Sequence, residues 1–119
     1  MEKLVEIGIL FDFYGKLLSN KQYQVVELYY IYDLSLTEIG EETNITRQGV
    51  YDTLKRSEQK LYHYEDTLGL IGKFNKIEDS LRNIIDIANE LEGFGKKNSI
   101  DSVYQNALKI KDIGNKIID

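Results

Sequence analysis

Residues 35–56 read S-L-T-E-I-G-E-E-T-N-I-T-R-Q-G-V-Y-D-T-L-K-R, and their pattern predicts two short helices joined by a turn. Ser35 and Glu38 stand three residues apart, the spacing of a capping box at a helix start. Asn44 follows the first helical pattern and tolerates the left-handed backbone that often ends a helix. Thr46 is a good N-cap for the second helix. The stretch therefore predicts a helix-turn-helix.

The apolar positions of this stretch fall on the inner faces of both helices. The glycine at position 40 should lie where the two helices come closest, because a side chain larger than alanine would push them apart. Val50 and Leu54, four residues apart, share a face of the second helix. The predicted inward positions are Leu36, Ile39, Gly40, Ile45, Val50 and Leu54.

The second helix presents polar and cationic side chains outward, as a recognition helix must in order to reach base edges. Arginine pairs with guanine in a bidentate way and glutamine with adenine, whereas Lys55 and Arg56 suit phosphates. A helical hairpin with a merely solvated outer face is the alternative. The predicted nucleic-acid-binding residues are Thr46, Arg47, Gln48, Tyr51, Asp52, Lys55 and Arg56.

Length and composition limit the classes of protein to which the chain can belong. With 119 residues the chain is one domain's worth of sequence, and the absence of cysteine excludes disulfides and thiol chemistry. We find no signal-peptide pattern and no apolar run of bilayer-spanning length, so we expect a soluble, cytoplasmic protein without membrane insertion. His63 is the only histidine, and no nucleophile–base pair or metal cluster is evident. We therefore predict no enzyme activity, no catalytic residues, no metal and no cofactor.

Charge is distributed unevenly along the chain. The net charge of -5 counts against a general nucleic-acid binder. Residues 46–63, however, carry four Lys/Arg against two Asp/Glu, and this segment alone is positive. The asymmetry favours nucleic-acid binding by the second helix and predicts weak non-specific affinity, because few phosphates can be neutralised.

Two helices precede the motif. Residues 3–18 form the first, which is apolar on more than one side, so a second subunit or a large core should cover its outer face. Ser19 and Gln22 have capping-box spacing and predict a second helix that ends near Tyr32. Its cluster of tyrosines could stack on bases, although packing with the hydroxyls in water is commoner.

The recognition helix continues past the motif. A heptad-like seam of apolar positions would carry it from Thr46 to Gly72 if unbroken, although Gly69 and Gly72 weaken its end. The seam comprises Val50, Leu54, Ser57, Leu61, Tyr64, Leu68 and Ile71.

A C-terminal helical hairpin is predicted next. Asn75 has cap spacing to Glu78, Gly93, Gly95 and residues 96–99 suggest a loop, and Asn98 or Ser99 would cap the last helix. We thus expect an all-α protein with a helix-turn-helix domain at residues 1–74 and a hairpin at residues 75–119 packed on it as one compact unit.

Two families share these patterns. Residues 18–56 resemble region 4 of sigma factors, through L-S-N-K-Q-Y-Q-V-V-E-L-Y-Y, D-L-S-L-T-E-I-G and I-T-R-Q-G-V-Y-D-T-L-K-R. Residues 9–74 are more closely similar to the YlxM-like family of small bacterial proteins, through L-F-D-F-Y-G-K-L-L and T-R-Q-G-V-Y-D-T-L-K-R-S-E. Gly49 stands where alanine is commoner in that family, which should loosen the recognition helix slightly.

The resemblance implies an all-helical helix-turn-helix protein whose gene lies beside that of the signal recognition particle GTPase. It therefore implies an accessory or regulator of that particle, with its RNA or its protein components as partners. A dimeric DNA-binding transcriptional regulator is the first alternative. A protein-interaction module that no longer binds nucleic acid is the second.

Overall fold

The computed structural model describes residues 2–118, which form six α-helices and no strand. An all-α fold is thus confirmed. A 3₁₀ turn, Gly15–Leu17, follows α1, and a π-helical turn, Glu27–Ile31, extends α2. The helices are α1 Lys3–Tyr14, α2 Asn20–Val26, α3 Leu36–Thr43, α4 Arg47–Leu68, α5 Leu70–Lys97 and α6 Asp101–Ile118.

The chain divides into two compact units, residues 1–71 and residues 72–119. The first holds α1 to α4 together with the first two residues of α5, Leu70 and Ile71, and the second holds the rest of α5 and α6, which form a hairpin. The division at residues 74 and 75, and the packing of the hairpin on the helix-turn-helix domain, stay predictions.

The side-chain caps predicted for α2, α3 and α4 are confirmed. Ser19 and Gln22 form a complete capping box, and so do Ser35 and Glu38. The Thr46 hydroxyl accepts a hydrogen bond of 3.0 Å from the Gly49 amide. Each side chain satisfies a backbone amide that has no partner within the helix, which fixes where the helix begins.

The first unit is built around α4, which contacts α1, α2 and α3. The core follows the predicted inner faces, because Ile39, Val50 and Leu54 are buried. The outward residues Leu4, Val5 and Phe13 of α1 are exposed, and so is Leu17 of the 3₁₀ turn that follows it. The buried core residues of this unit are Ile7, Leu10, Phe11, Tyr14, Leu18, Val25, Val26, Ile39, Val50, Leu54 and Leu61.

Two predicted helix lengths require correction. The helix expected over residues 3–18 ends at Tyr14 and tightens into the 3₁₀ turn. Helix α4 ends at Leu68 rather than continuing to residue 72, because Gly69 adopts a left-handed backbone (φ 63°). A new helix then begins at once.

Side chains from the first unit hold the start of α5. The Tyr14 hydroxyl donates to the Glu65 carboxylate at 2.5 Å and accepts from the Leu70 amide at 3.1 Å. The same carboxylate accepts from the Ile71 amide at 3.0 Å. Tyr14 is buried, so these bonds form largely out of water.

The hairpin begins earlier and turns later than predicted. Asn75 lies inside α5 and caps nothing, because the helix already starts at Leu70. Gly93 and Gly95 also lie within α5 rather than in a loop. A β-carbon on Gly95 would lie 2.7 Å from the Tyr104 amide nitrogen of α6, so glycine here permits close helix packing.

The turn of the hairpin is short. Ser99 adopts a left-handed backbone (φ 55°), and the Ile100 amide donates to the Gly95 carbonyl at 2.8 Å. Neither Asn98 nor Ser99 directly precedes α6, which starts at Asp101. Ala88 and Ala107 are buried between the helices, and Lys111 pairs with Glu92 at 2.6 Å. Among the described helices none is long and apolar enough to cross a membrane.

Candidate nucleic-acid interface

The turn between α3 and α4 is set by its backbone. Asn44 has the left-handed conformation predicted for it (φ 58°, ψ 38°), and the Ile45 amide donates to the Gly40 carbonyl at 3.1 Å. A β-carbon on Gly40 would lie 2.6 Å from the Ile45 carbonyl oxygen. The glycine therefore accommodates the turn itself, rather than the meeting of the two helix axes that the sequence predicted.

Gly49 faces the same turn residue from the other side. A β-carbon at this position would lie 2.6 Å from Cγ2 of Ile45 and 3.1 Å from the Thr46 hydroxyl oxygen. The predicted loosening of α4 by Gly49 stays a prediction. What the structure shows is that the absence of a side chain at Gly49 leaves room for Ile45, which packs against the core.

All seven predicted binding residues lie together, at the start of α4 or directly before it. Arg47, Gln48, Tyr51, Asp52 and Arg56 are exposed, whereas Val50 and Leu54 point into the core. Thr46 is exposed, but its hydroxyl is engaged as the helix cap. The outward side chains thus occupy a single helix surface of about three turns.

Gln48 and Asp52 form a pair on this surface. The Gln48 amide nitrogen donates to the Asp52 carboxylate at 3.0 Å. This bond uses one amide hydrogen and leaves the Gln48 carbonyl oxygen as an acceptor. The pair therefore presents donors and acceptors of base-edge type in a fixed relative position.

The cations of this surface differ in how free their charges are. Within residues 2–118, neither Arg47 nor Arg56 makes an ion pair. Lys55 lies 5.5 Å from the centre of the Tyr51 ring and 3.5 Å from the Glu58 carboxylate. The charge of Lys55 is therefore partly compensated by its own protein.

Glu58 is a buried carboxylate that the sequence analysis missed. It is 5% exposed, pairs with Lys3 at 2.8 Å, and accepts a hydrogen bond of 2.6 Å from the Tyr30 hydroxyl. Its position four residues after Leu54, on the inner side of α4, was the available signal. Glu58 thereby joins α1, the π-helical turn and α4.

The charges around Glu58 shift its titration. Burial opposes its charged form, but hydrogen bonds from Lys3 and Tyr30 and the charges of Lys3 and Lys55 outweigh that effect. The pKa of Glu58 consequently lies below its ordinary value. The hydrogen bond to Glu58 raises the pKa of Lys3, and burial together with the same carboxylate raises the pKa of Tyr30.

Helix α3 carries negative charge on its own exposed side. Glu38, Glu41 and Glu42 line an open groove together with Leu34. The Glu38 carboxylate accepts from the Ser35 amide at 3.0 Å, and this bond lowers its pKa. This side of α3 is therefore unfavourable for phosphates.

We find no candidate metal site among residues 2–118. No group of three His, Cys, Asp or Glu side chains gathers there in a way that could hold an ion.

Comparison with known proteins finds relatives that are 42–48% identical to this chain over most of its length. A UPF0122 protein of Desulforamulus reducens is 48% identical over 94 residues, 79% of this chain and 78% of that protein. One from Clostridium kluyveri is 47% identical over 91 residues, 76% of this chain and 82% of its own. One from Clostridium novyi is 42% identical over 118 residues, 99% of this chain and 97% of its own.

The matching family description names a structural motif and no catalytic activity. It covers residues 1–103, which include α1 to α5 and the beginning of α6. The chain belongs to the UPF0122 family, described as "Putative helix-turn-helix protein, YlxM / p13 like".

Proposed function

We propose that the protein binds nucleic acid through the outer surface of α4 and acts as an accessory of the signal recognition particle, with the particle's RNA as ligand. One observation carries the binding proposal. The first three turns of α4 expose Arg47, Gln48 and Tyr51 while Val50 and Leu54 anchor the helix in the core. A recognition helix needs this division between a fixed inner face and a free outer face.

The character of the side chains supports a ligand with both phosphates and accessible bases. Arg47 and Arg56 are free to pair with phosphates, and the Gln48–Asp52 pair offers hydrogen bonds to base edges. Tyr51 is exposed and can stack on an unpaired base. RNA recognition relies on single-stranded loops whose bases are splayed out, and Tyr51 suits such a ligand.

The choice of the signal recognition particle rests on the family resemblance. The same resemblance makes the particle's protein components candidate partners as well. Duplex DNA is the first alternative ligand, and it would use the same helix in a major groove.

A protein-interaction module is the second alternative, and one observation favours it. Glu38, Glu41 and Glu42 line a groove on α3, the helix that precedes α4, and Lys55 pairs with Glu58. Both features reduce attraction to phosphates, whereas a basic protein surface would be attracted to the α3 carboxylates.

Direct binding distinguishes the three proposals. Fluorescence anisotropy would follow titration of the full chain into labelled signal recognition particle RNA and into random duplex DNA, each at several salt concentrations. Binding to the RNA in preference to the DNA supports the proposal. Preference for the duplex would favour a DNA regulator, and binding to neither would leave the protein module.

A pair of matched variants tests whether α4 is the surface used. Arg47→Ala/Lys55→Ala should weaken binding and flatten its dependence on salt. Lys16→Ala/Lys21→Ala removes the same charge from exposed positions of the same unit and should bind as the unaltered protein does. Equal losses in both variants would mean that only net charge matters and would refute a specific site on α4.

A further inference from the structure

The α5–α6 hairpin carries a continuous apolar surface that no described residue covers. Its members are between 37% and 60% exposed. We call this surface the hairpin face. It comprises Ile77, Ile84, Ile87, Leu91 and Phe94 of α5 and Ile110, Ile113 and Ile117 of α6.

Both helices contribute to the same side of the hairpin. The helices run antiparallel, because Gly95 lies against Tyr104 and Gly114 lies against Ile85. On each helix the exposed apolar stripe is rotated by about a quarter turn, in the same sense, from the buried residues Ala88 and Ala107. In antiparallel neighbours the same sense of rotation brings both stripes to one side.

The spacing within the hairpin face suits a helical partner. Ile77, Ile84 and Leu91 recur every seven residues, and Ile110 and Ile117 repeat at the same interval. Such a repeat keeps an apolar seam facing a neighbouring helix along its length. A second hairpin laid against this face would complete a four-helix bundle.

The size of the hairpin face matches what a dimer requires. If each large apolar residue offers roughly 180 Å² when fully exposed, the eight half-exposed residues present on the order of 700 Å². That exceeds the ~300–600 Å² of the largest patch on a typical monomer. It approaches the ~800 Å² that each partner commonly buries in a stable interface.

The charge of the hairpin unit does not oppose the approach of a second copy. Residues 72–119 carry eight Lys/Arg and eight Asp/Glu, so the hairpin is neutral. Residues 1–71 carry seven Lys/Arg against twelve Asp/Glu, and this unit accounts for the whole net charge of -5. Two copies meeting through their hairpins therefore avoid the repulsion that their first units would impose.

We propose that the hairpin face binds the hairpin face of a second copy of this chain, forming a twofold-symmetric dimer with a four-helix bundle at its centre. This interface is distinct from the outward side of α1, the dimer contact considered from the sequence. The proposal does not depend on nucleic-acid binding, since its test measures mass alone.

The mass of the full chain in solution provides the test. Analytical ultracentrifugation at tens of micromolar should give twice the chain mass of 13.8 kDa. Ile87→Glu/Ile113→Glu places charge at the two most exposed members of the face and should weaken association at least tenfold. The measured mass should then fall toward that of a single chain. An unaltered protein that stays a monomer at these concentrations would overturn the proposal.

Val5→Glu/Leu17→Glu is the matched control, because it adds the same charge at exposed apolar positions on the first unit. This variant should remain dimeric. A dimer lost in the control but kept in the hairpin variant would overturn the proposal and assign the contact to the first unit. Far-ultraviolet circular dichroism checks that both variants keep their helices.

Cross-linking gives a second measurement. The chain contains no cysteine, so a single introduced thiol is the only one present. Leu91→Cys should join two copies through a short bismaleimide, and Leu17→Cys should not. Cross-linking of Leu17→Cys alone would contradict the predicted interface.

Discussion

The carbonyl oxygen of Ile45 lies 2.6 Å from the point that a β-carbon on Gly40 would occupy. This contact joins the last turn of α3 to the turn before α4, and backbone atoms cannot move aside as a flexible side chain can. The angle between the two helices of the motif therefore depends on the absence of a single methyl group.

Gly40→Ala should destabilise the protein by about 1–3 kcal/mol, because the methyl group must displace the turn. Gly8→Ala is the control, since a β-carbon there meets nothing within 4 Å and alanine is the better helix former. That substitution should stabilise by up to about 1 kcal/mol. Urea denaturation measures both free energies of unfolding, and equal effects would contradict the tight contact.

Glu58→Gln should lower stability at neutral pH by about 1–3 kcal/mol, because the buried carboxylate loses its pairing with Lys3 and Lys55. Glu78→Gln, which removes a carboxylate from the exposed pair with Arg82, should change stability by less than about 1 kcal/mol. Thermal and urea denaturation at pH 7 would measure the two variants side by side.

The contribution of Glu58 to stability should also depend on pH. Its pKa is lower in the folded chain than its ordinary value of 4.5, so the folded state binds fewer protons near that pH. The stabilisation is therefore present above pH 4.5 and is lost as the pH falls through the lowered pKa. Glu58→Gln should lack this component, and a parallel fall in both proteins would exclude Glu58 as its source.

Tyr14→Phe should cost about 1–3 kcal/mol, because it removes the donor to Glu65 and leaves the Leu70 amide without its acceptor. Tyr23→Phe is a fitting control. The Tyr23 ring packs on Phe11 with centroids 4.7 Å apart, and no hydrogen bond of its hydroxyl is seen within residues 2–118. Chemical denaturation should find the control nearly as stable as the unaltered protein.

Arg47→Ala should weaken nucleic-acid binding more than Lys55→Ala does, because Glu58 already compensates part of the Lys55 charge. If Arg47 contacts a phosphate, its loss should reduce the slope of log affinity against log salt by about 1. Anisotropy titrations at four or more salt concentrations give that slope. A larger loss for Lys55→Ala would show that its pair with Glu58 opens on binding.

Local signals explain which parts of the fold were predictable. Ser19 with Gln22 and Ser35 with Glu38 predict helix starts correctly, because the two partners of a capping box are only three residues apart in the sequence. Asn75 with Glu78 has the same spacing and caps nothing, because Tyr14 and Glu65 already hold the amides of an earlier start. Those partners lie far away in sequence, so spacing alone could not reveal them.

The position of Gly95 and the burial of Glu58 could not be predicted from sequence patterns. Gly95 resembles a loop residue in sequence, but it lies in α5, and the position requires glycine because the Tyr104 backbone of α6 comes so close. The outward residues of α4 were predictable from helical periodicity. The buried state of Glu58 was not, since it depends on Lys3 and Tyr30 reaching it from two other elements.

The bonds at the start of α5 give the molecule a built-in reporter. The amides of Leu70 and Ile71 are shielded by Tyr14 and Glu65 rather than by a preceding helical turn. Their hydrogen exchange with solvent therefore follows the opening of the first unit, although both belong to the helix that forms the hairpin. Two amide signals in a nuclear magnetic resonance spectrum would thus record when the helix-turn-helix loosens.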